Sequence, residues 1–277
     1  MSPVKALVLY GYGLNCDYET QFALAQAGAE AIRVHVNELV SGEARLTDFH
    51  LLALVGGFSW GDDHGAGVIL GLRLKLALQS EVVDFIQAGK LILGICNGFQ
   101  VLVNMGLLPG LGGRYDQRQV AFIPNDCGNF RDAWVHLRVN PERSVFTRGI
   151  NHLELPVRHG EGKFFAPSDI LAELFAGELV VLQYANRAGE LAHGRFPDNP
   201  NGSLGDIAGI CDPTGRVLGL MPHPEAHISF VQHPTWTRQK ETWRRQHQPP
   251  PHLEGAGMQL FRNAVNYLEE TFTASPA

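Results

Sequence analysis

Along the first part of the chain, short apolar runs alternate with longer stretches whose apolar residues recur every three or four positions. VKALVLY (residues 4–10) reads as a strand, Gly11 and Gly13 as a turn, and DYETQFALAQAGA (17–29) as an amphipathic helix that stops near Gly28. AIRVHV (31–36) returns to strand. LLALVGGFS (51–59) reads as a buried strand opening into a glycine turn, LKLALQSEVVDFIQAGK (74–90) as a helix stopped by Gly89, and LILGI (91–95) as the next strand. A helical pattern follows at once, through residue 108. This alternation predicts an α/β fold with a mainly parallel central sheet flanked by helices.

Past residue 120 the pattern changes. AFIPND (121–126), WVHLRVN (134–140), HLELPVRHGEGKFFAP (152–167) and LVVLQYAN (179–186) read as strands with turn residues and little helix, which predicts antiparallel strands added to the sheet. Residues 202–225 read as a hairpin pair and GMQLFRNAVNYLEETF (257–272) as a closing helix. Between them, residues 231–257 are Pro-rich without an apolar period and read as one long surface loop. With no internal repeat and no linker, residues 1–277 are expected to form a single domain.

Composition narrows the partners. A chain of 277 residues with 45% hydrophobic content can build a substantial core. Its 22 Lys and Arg against 28 Asp and Glu give a net charge of −6 without long blocks of one sign, so nucleic acid is not an expected partner. No uncharged run approaches the roughly 18 residues of a membrane span, and no targeting segment stands at the start, so a cytoplasmic protein without membrane contact is expected. Cys16, Cys96, Cys127 and Cys211 lie far apart with no C-x-x-C pair, which fits reduced thiols better than a disulfide frame or a zinc site.

Cys96 stands apart from the other thiols. It follows a strand, precedes a helix, and has Gly94 and Gly98 two positions to either side. A sharp strand-to-helix turn holds its residue at the carboxyl edge of the sheet, where a helix N-terminus favours an anion. G-x-C-x-G is the cysteine form of a nucleophile elbow, with the N–H of Asn97 aimed where an oxyanion would form. The bland alternative, a buried space-filling thiol, suits the other three cysteines better. Of the twelve histidines, most read as surface or loop residues. His223 differs, because Pro222 and Pro224 favour extended neighbours and would put His223 and Glu225 on one side. A Cys96–His223–Glu225 arrangement results, with the carboxylate orienting the imidazole.

G-I-C-N-G-F-Q followed far downstream by H-P-E resembles the triad-type class I glutamine amidotransferases, which have a flavodoxin-like core. GLNCDYET (13–20), GGFSWGDDHGAG (56–67), HGEGKF (159–164), NPNGSLGDIAGI (199–210) and MPHPE (221–225) narrow the resemblance to the glutamine amidotransferase components of phosphoribosylformylglycinamidine synthases. That resemblance implies Cys96 as nucleophile, His223 and Glu225 as its base and orienting acid, and N–H groups of Gly57 and Asn97 as the oxyanion hole. It also implies glutamine contacts at Gln100 and at the turn of His159 and Gly160. Asp17 and Asp62 could be helix caps. No phosphate-binding G-x-x-x-x-G-K-[ST] loop is present, so no cofactor or metal is expected on this chain. ATP and Mg²⁺ are expected on a synthetase subunit, with a small bridging subunit in split enzymes. Ala226 and Arg158 depart from the family's usual basic and small residues. The extra segment 231–257, with Trp236, Trp243 and three prolines, either contacts the synthetase or is an idle surface insertion. Two rivals are a cysteine-elbow enzyme of the DJ-1 and intracellular protease type, which usually has His after the cysteine where Asn97 stands, and a non-catalytic scaffolding subunit.

Overall fold

The apolar runs of the first part of the chain form strands, and the central ones are buried on both faces, as strands of a covered parallel sheet are, while the edge strand keeps Arg33 and His35 partly exposed. The computed structural model describes residues 3–247 and 253–273. Its strands are β1 (Lys5–Tyr10), β2 (Glu30–His35), β3 (Leu51–Leu54), β4 (Leu91–Ile95), β5 (Ala121–Ile123), β6 (Arg131–Val139), β7 (His152–His159), β8 (Lys163–Phe165), β9 (Val180–Ala185), β10 (Ile207–Cys211) and β11 (Val217–Leu220). Nine of them form one sheet in the order β2-β1-β3-β4-β11-β10-β9-β6-β7. From β2 to β11 every neighbour is parallel, and from β11 to β7 every neighbour is antiparallel. β5 and β8 pair separately.

The helices are α1 (Asp17–Gln26), α2 (Val36–Ser41), α3 (Val68–Gln87), α4 (Asn97–Met105), α5 (Ser168–Ala176), α6 (Trp236–Arg245) and α7 (Met258–Leu268). α1 packs against α7 and α3 against α4, and β3, β4, β10 and β11 are buried along their whole length. The fold is therefore α/β, with the antiparallel strands added on one side.

One local expectation is extended and two are corrected. Residues 202–225 do hold an antiparallel pair, β10 and β11, but β11 also joins β4 in parallel, with Leu220 opposite Ile95. The middle of the chain contains α5, nine residues long, which follows Pro167 and anchors itself through Leu174. The segment 231–257 is not loop throughout, since α6 occupies ten of its residues. No α6 side chain is buried, so it lacks the apolar stripe that would have marked it, while Arg244 and Arg245 pair with Glu241 along its surface. The three prolines at 249–251 lie outside the described residues.

Glycine packing between layers yields a test. A Cβ on Gly98 would lie 1.9 Å from the Leu54 carbonyl oxygen, whereas one on Gly42 would meet nothing within 4 Å. Gly98→Ala should cost at least about 3 kcal/mol, because backbone must separate from backbone. Gly42→Ala should cost only about 1 kcal/mol, for its left-handed φ of +80° alone. Chemical denaturation of both variants measures the difference.

Candidate active site

The turn between β4 and α4 forces Cys96 into a backbone conformation that L residues rarely adopt, φ +49° and ψ −107°. Two hydrogen bonds hold it there. Its N–H donates to the Leu220 carbonyl at 2.8 Å, and its own carbonyl accepts from the Gln100 N–H at 3.1 Å. Gly94 and Gly98 are required by packing, since a Cβ on Gly94 would lie 2.5 Å from Leu102. The thiol is buried, with Sγ 3.6 Å from the Arg158 carbonyl oxygen.

Asn97 opens α4, so its N–H has no intrahelical acceptor. Gly57 follows β3, the strand beside β4, and its φ of +144° lets residues 13–15 cross within contact; a Cβ there would lie 2.7 Å from the Leu14 Cα. Among the described residues neither N–H donates a backbone hydrogen bond. Both lack a backbone acceptor among those residues, and that of Asn97 adjoins Cys96 in the chain.

His223 comes from the other neighbour of β4. It follows β11, and its N–H is fixed by the Pro156 carbonyl at 2.8 Å. Its Nδ1 lies 2.5 Å from Glu225 Oε1, both side chains being buried. The pairing arises from a short 3-10 turn over Pro224–Ala226 rather than from the extended alternation expected. Burial opposes charging the imidazole, but Glu225 and then Cys96 outweigh it, and the His223 pKa rises well above its ordinary value. His223 Nε2, Glu225 Oε2 and Asn97 Oδ1 are buried without a hydrogen-bond partner among the described residues. Buried polar atoms are rarely left so unless a ligand or water completes them.

Gln100 and the 159–162 turn form the adjoining wall. Gln100 Nε2 donates to the Glu161 carbonyl at 2.7 Å, which ties α4 to that turn. The His159 side chain faces inward, 3.2 Å from Asn125 Oδ1, and burial, reinforced by the nearby His223 charge, pushes its pKa down to about 3. A Cβ on Gly162 would lie 2.2 Å from its ring. Asn125 also takes the carbonyls of His159 and Gly160, at 2.8 and 2.9 Å. The imidazole and both carbonyls therefore brace the turn.

Several residues had more to do than the sequence suggested. Asp62 caps no helix; it accepts from Asn97 Nδ2 at 3.0 Å, and burial with the nearby Glu161 raises its pKa to about 6. Asp17 is not a capping side chain but pairs with Arg33 at 2.6 Å. His227 and His233 are buried against the edge-on Trp134 ring rather than lying on the surface. Gly56, beside the expected Gly57, leaves room for His223, whose Cε1 would lie 2.7 Å from a Cβ there. Its only sequence signal was the G-G pair.

An elbow cysteine at the carboxyl edge of a mixed sheet, with a buried His–Glu pair on the adjacent strand, suits acyl transfer through a thioester. The chain belongs to the family of CobB/CobQ-like glutamine amidotransferase domains, whose sequence profile matches residues 3–268. Within that class it is similar to proteins named phosphoribosylformylglycinamidine synthase subunit PurQ. The relative from Methanococcus maripaludis is 41% identical over 266 residues, covering 96% of this chain and 98% of that one. The relative from Dehalococcoides mccartyi is 41% identical over 273 residues, covering 98% and 100%. Among solved structures, PurLQS from Thermotoga maritima contains a chain that superposes with a TM-score of 0.69 at 28% identity, over 96% of this chain and 100% of that one.

Asp62 provides a pH test. Its folded pKa of about 6 lies above the ordinary 3.8, so ionising it costs more in the folded than in the unfolded chain. Its contribution therefore worsens as pH rises from about 4 to about 6, and stays unfavourable above. Asp62→Asn keeps an acceptor for Asn97 and should raise stability at pH 7.5 by roughly 1 kcal/mol, after discounting for partial exposure. Melting curves should show that gain vanish near pH 4.

Proposed function

We propose that this chain is the glutaminase subunit of phosphoribosylformylglycinamidine synthase. The observation that carries the reading is the Cys96 elbow beside the buried His223–Glu225 pair, in a chain 41% identical over nearly its full length to subunits of that name. Cys96 attacks the side-chain carboxamide carbon of glutamine. The N–H groups of Asn97 and Gly57 hold the resulting oxyanion. His223, kept charged by Glu225, gives its proton to the departing ammonia, and a glutamyl thioester remains on the sulfur. His223 then takes a proton from water, whose oxygen attacks the thioester and releases glutamate and the thiol. Gln100 and the His159–Gly160 turn wall the glutamine pocket.

The ammonia passes to an ATP- and Mg²⁺-using synthetase subunit, where it converts formylglycinamide ribonucleotide to formylglycinamidine ribonucleotide. A small bridging subunit joins the two in this reading, and α6, with Trp236 and Trp243, contacts the synthetase. None of the helices is long and apolar enough to cross a membrane among the described residues. Free thiols at all four cysteines support a reducing, cytoplasmic setting.

Two measurements test the reading. With the synthetase, ATP, Mg²⁺ and formylglycinamide ribonucleotide, Cys96→Ala should lower glutamine-dependent turnover by at least about 1,000-fold and leave ammonium-dependent turnover intact. Survival of glutamine use would remove Cys96 as the nucleophile. Glutaminase activity of the chain alone should be low and should rise on adding the synthetase; equal turnover at saturating glutamine would contradict the coupling.

A further inference from the structure

A second thiol stands beside His223. Cys16 ends the 13–16 crossing that Gly57 admits, its N–H is held by the Gly56 carbonyl at 3.2 Å, and its Sγ lies 3.9 Å from His223 Nδ1. Ligand atoms of Cys16, His223 and Glu225 all lie within 4.8 Å of one another. The space among them is kept open by the missing side chain of Gly56, since a Cβ there would stand 2.7 Å from His223 Cε1 and 3.3 Å from Cys16 Sγ. Glu225 is 1% exposed, and its Oε2 has no hydrogen-bond partner among the described residues. One sulfur, one nitrogen and one carboxylate oxygen make a donor set for a thiophilic divalent cation, with zinc leaving its fourth position to water.

We propose that Cys16, His223 and Glu225 form an inhibitory site for a zinc-like divalent cation. Zinc bond lengths of about 2.3 Å to sulfur and about 2.0 Å to nitrogen or oxygen imply an S···N edge near 3.5 Å and an N···O edge near 3.3 Å. The observed 3.9 and 2.5 Å mean that the thiol closes by a few tenths of an ångström on the nitrogen while the carboxylate draws back by less than one, and the sulfur–carboxylate edge, within 4.8 Å, closes by up to about 1 Å toward the tetrahedral value of about 3.5 Å. On binding, the Cys16 thiol and His223 Nδ1 each give a proton to solvent, and sulfur and nitrogen lone pairs bond the metal. Nε2 keeps its hydrogen, so the imidazole has no free lone pair with which to accept a proton. Inhibition rests on the amidotransferase reading above, whereas binding does not.

The probe for binding is Cd²⁺, whose thiolate complex absorbs in the near ultraviolet, on the full chain carrying Cys96→Ala. That variant should gain the band with a single equivalent, and adding Cys16→Ala should abolish it; a band of equal strength in both overturns the site. Cys16→Ser, checked by melting curve, repeats the comparison should the alanine variant fold poorly. In the complex, the Zn²⁺ concentration that halves glutamine-dependent turnover, scaled to each variant's own uninhibited rate, should rise at least about ten-fold in Cys16→Ala. An unchanged value with the Cd²⁺ band lost would overturn the inhibitory role alone. If the wild type hydrolyses no glutamine, the Cd²⁺ comparison still decides the site while the amidotransferase reading falls.

Discussion

The first turn of α4 lies against the end of β3 with no side chain between them, and the Gly98–Leu54 approach is the constraint on which the rest depends. Because backbone meets backbone there, the chain must reverse within the single residue separating β4 from α4. That residue is Cys96, in a strained conformation that typically costs on the order of 1–3 kcal/mol. A buried sheet on both sides and the hydrogen bonds from Cys96 to Leu220 and Gln100 hold the strain in place. The same reversal directs the opening N–H of α4 away from the helix, beside the thiol.

Electrostatics in the site is set by opposed neighbours rather than by residue type. His159 and His223 are both buried, yet one is held neutral and the other charged. His223 has the Glu225 carboxylate at hydrogen-bonding distance, while His159 has only the neutral amides of Asn125 and Asn201. The charge on His223 further depresses His159. Asp62 and Glu161 add two acids near the Asn97 end, and their mutual repulsion helps to keep Asp62 half-protonated near pH 6.

The parallel half of the fold was legible because its central strands, covered on both faces, read as unbroken apolar runs. Strand order was not, since no local pattern says that β11, near the end of the chain, inserts beside β4 in the centre. Helix α5 does carry an apolar period, Ile170, Leu171, Leu174 and Phe175, and was overlooked in a stretch read as strands, whereas α6 buries no side chain and offers little period to read. In the site, Cys96, His223 and Glu225 stood out by their flanking glycines and prolines, and the structure brings them together. Gly56 was not singled out, Cys16 was read as a space-filling thiol, and Asp62 only as a possible cap. Their surroundings come from loops distant in sequence, and G-G, N-C-D and G-D-D are equally ordinary turn sequences.

β11 also carries a consequence for how the chain assembles. Synthesis delivers β1 to β4 first, and until β11 arrives the inner margin of β4 is a row of unpaired N–H and C=O groups on an apolar strand. Such an edge invites pairing with another nascent molecule. Closing it requires the last third of the chain to return to the middle of a sheet whose other half is already built. The strand that seals that margin is the one from which His223 extends, so a ribosome-bound or truncated chain lacking it would carry a bare thiol and a sticky edge together. Completion of the sheet and completion of the site are one event.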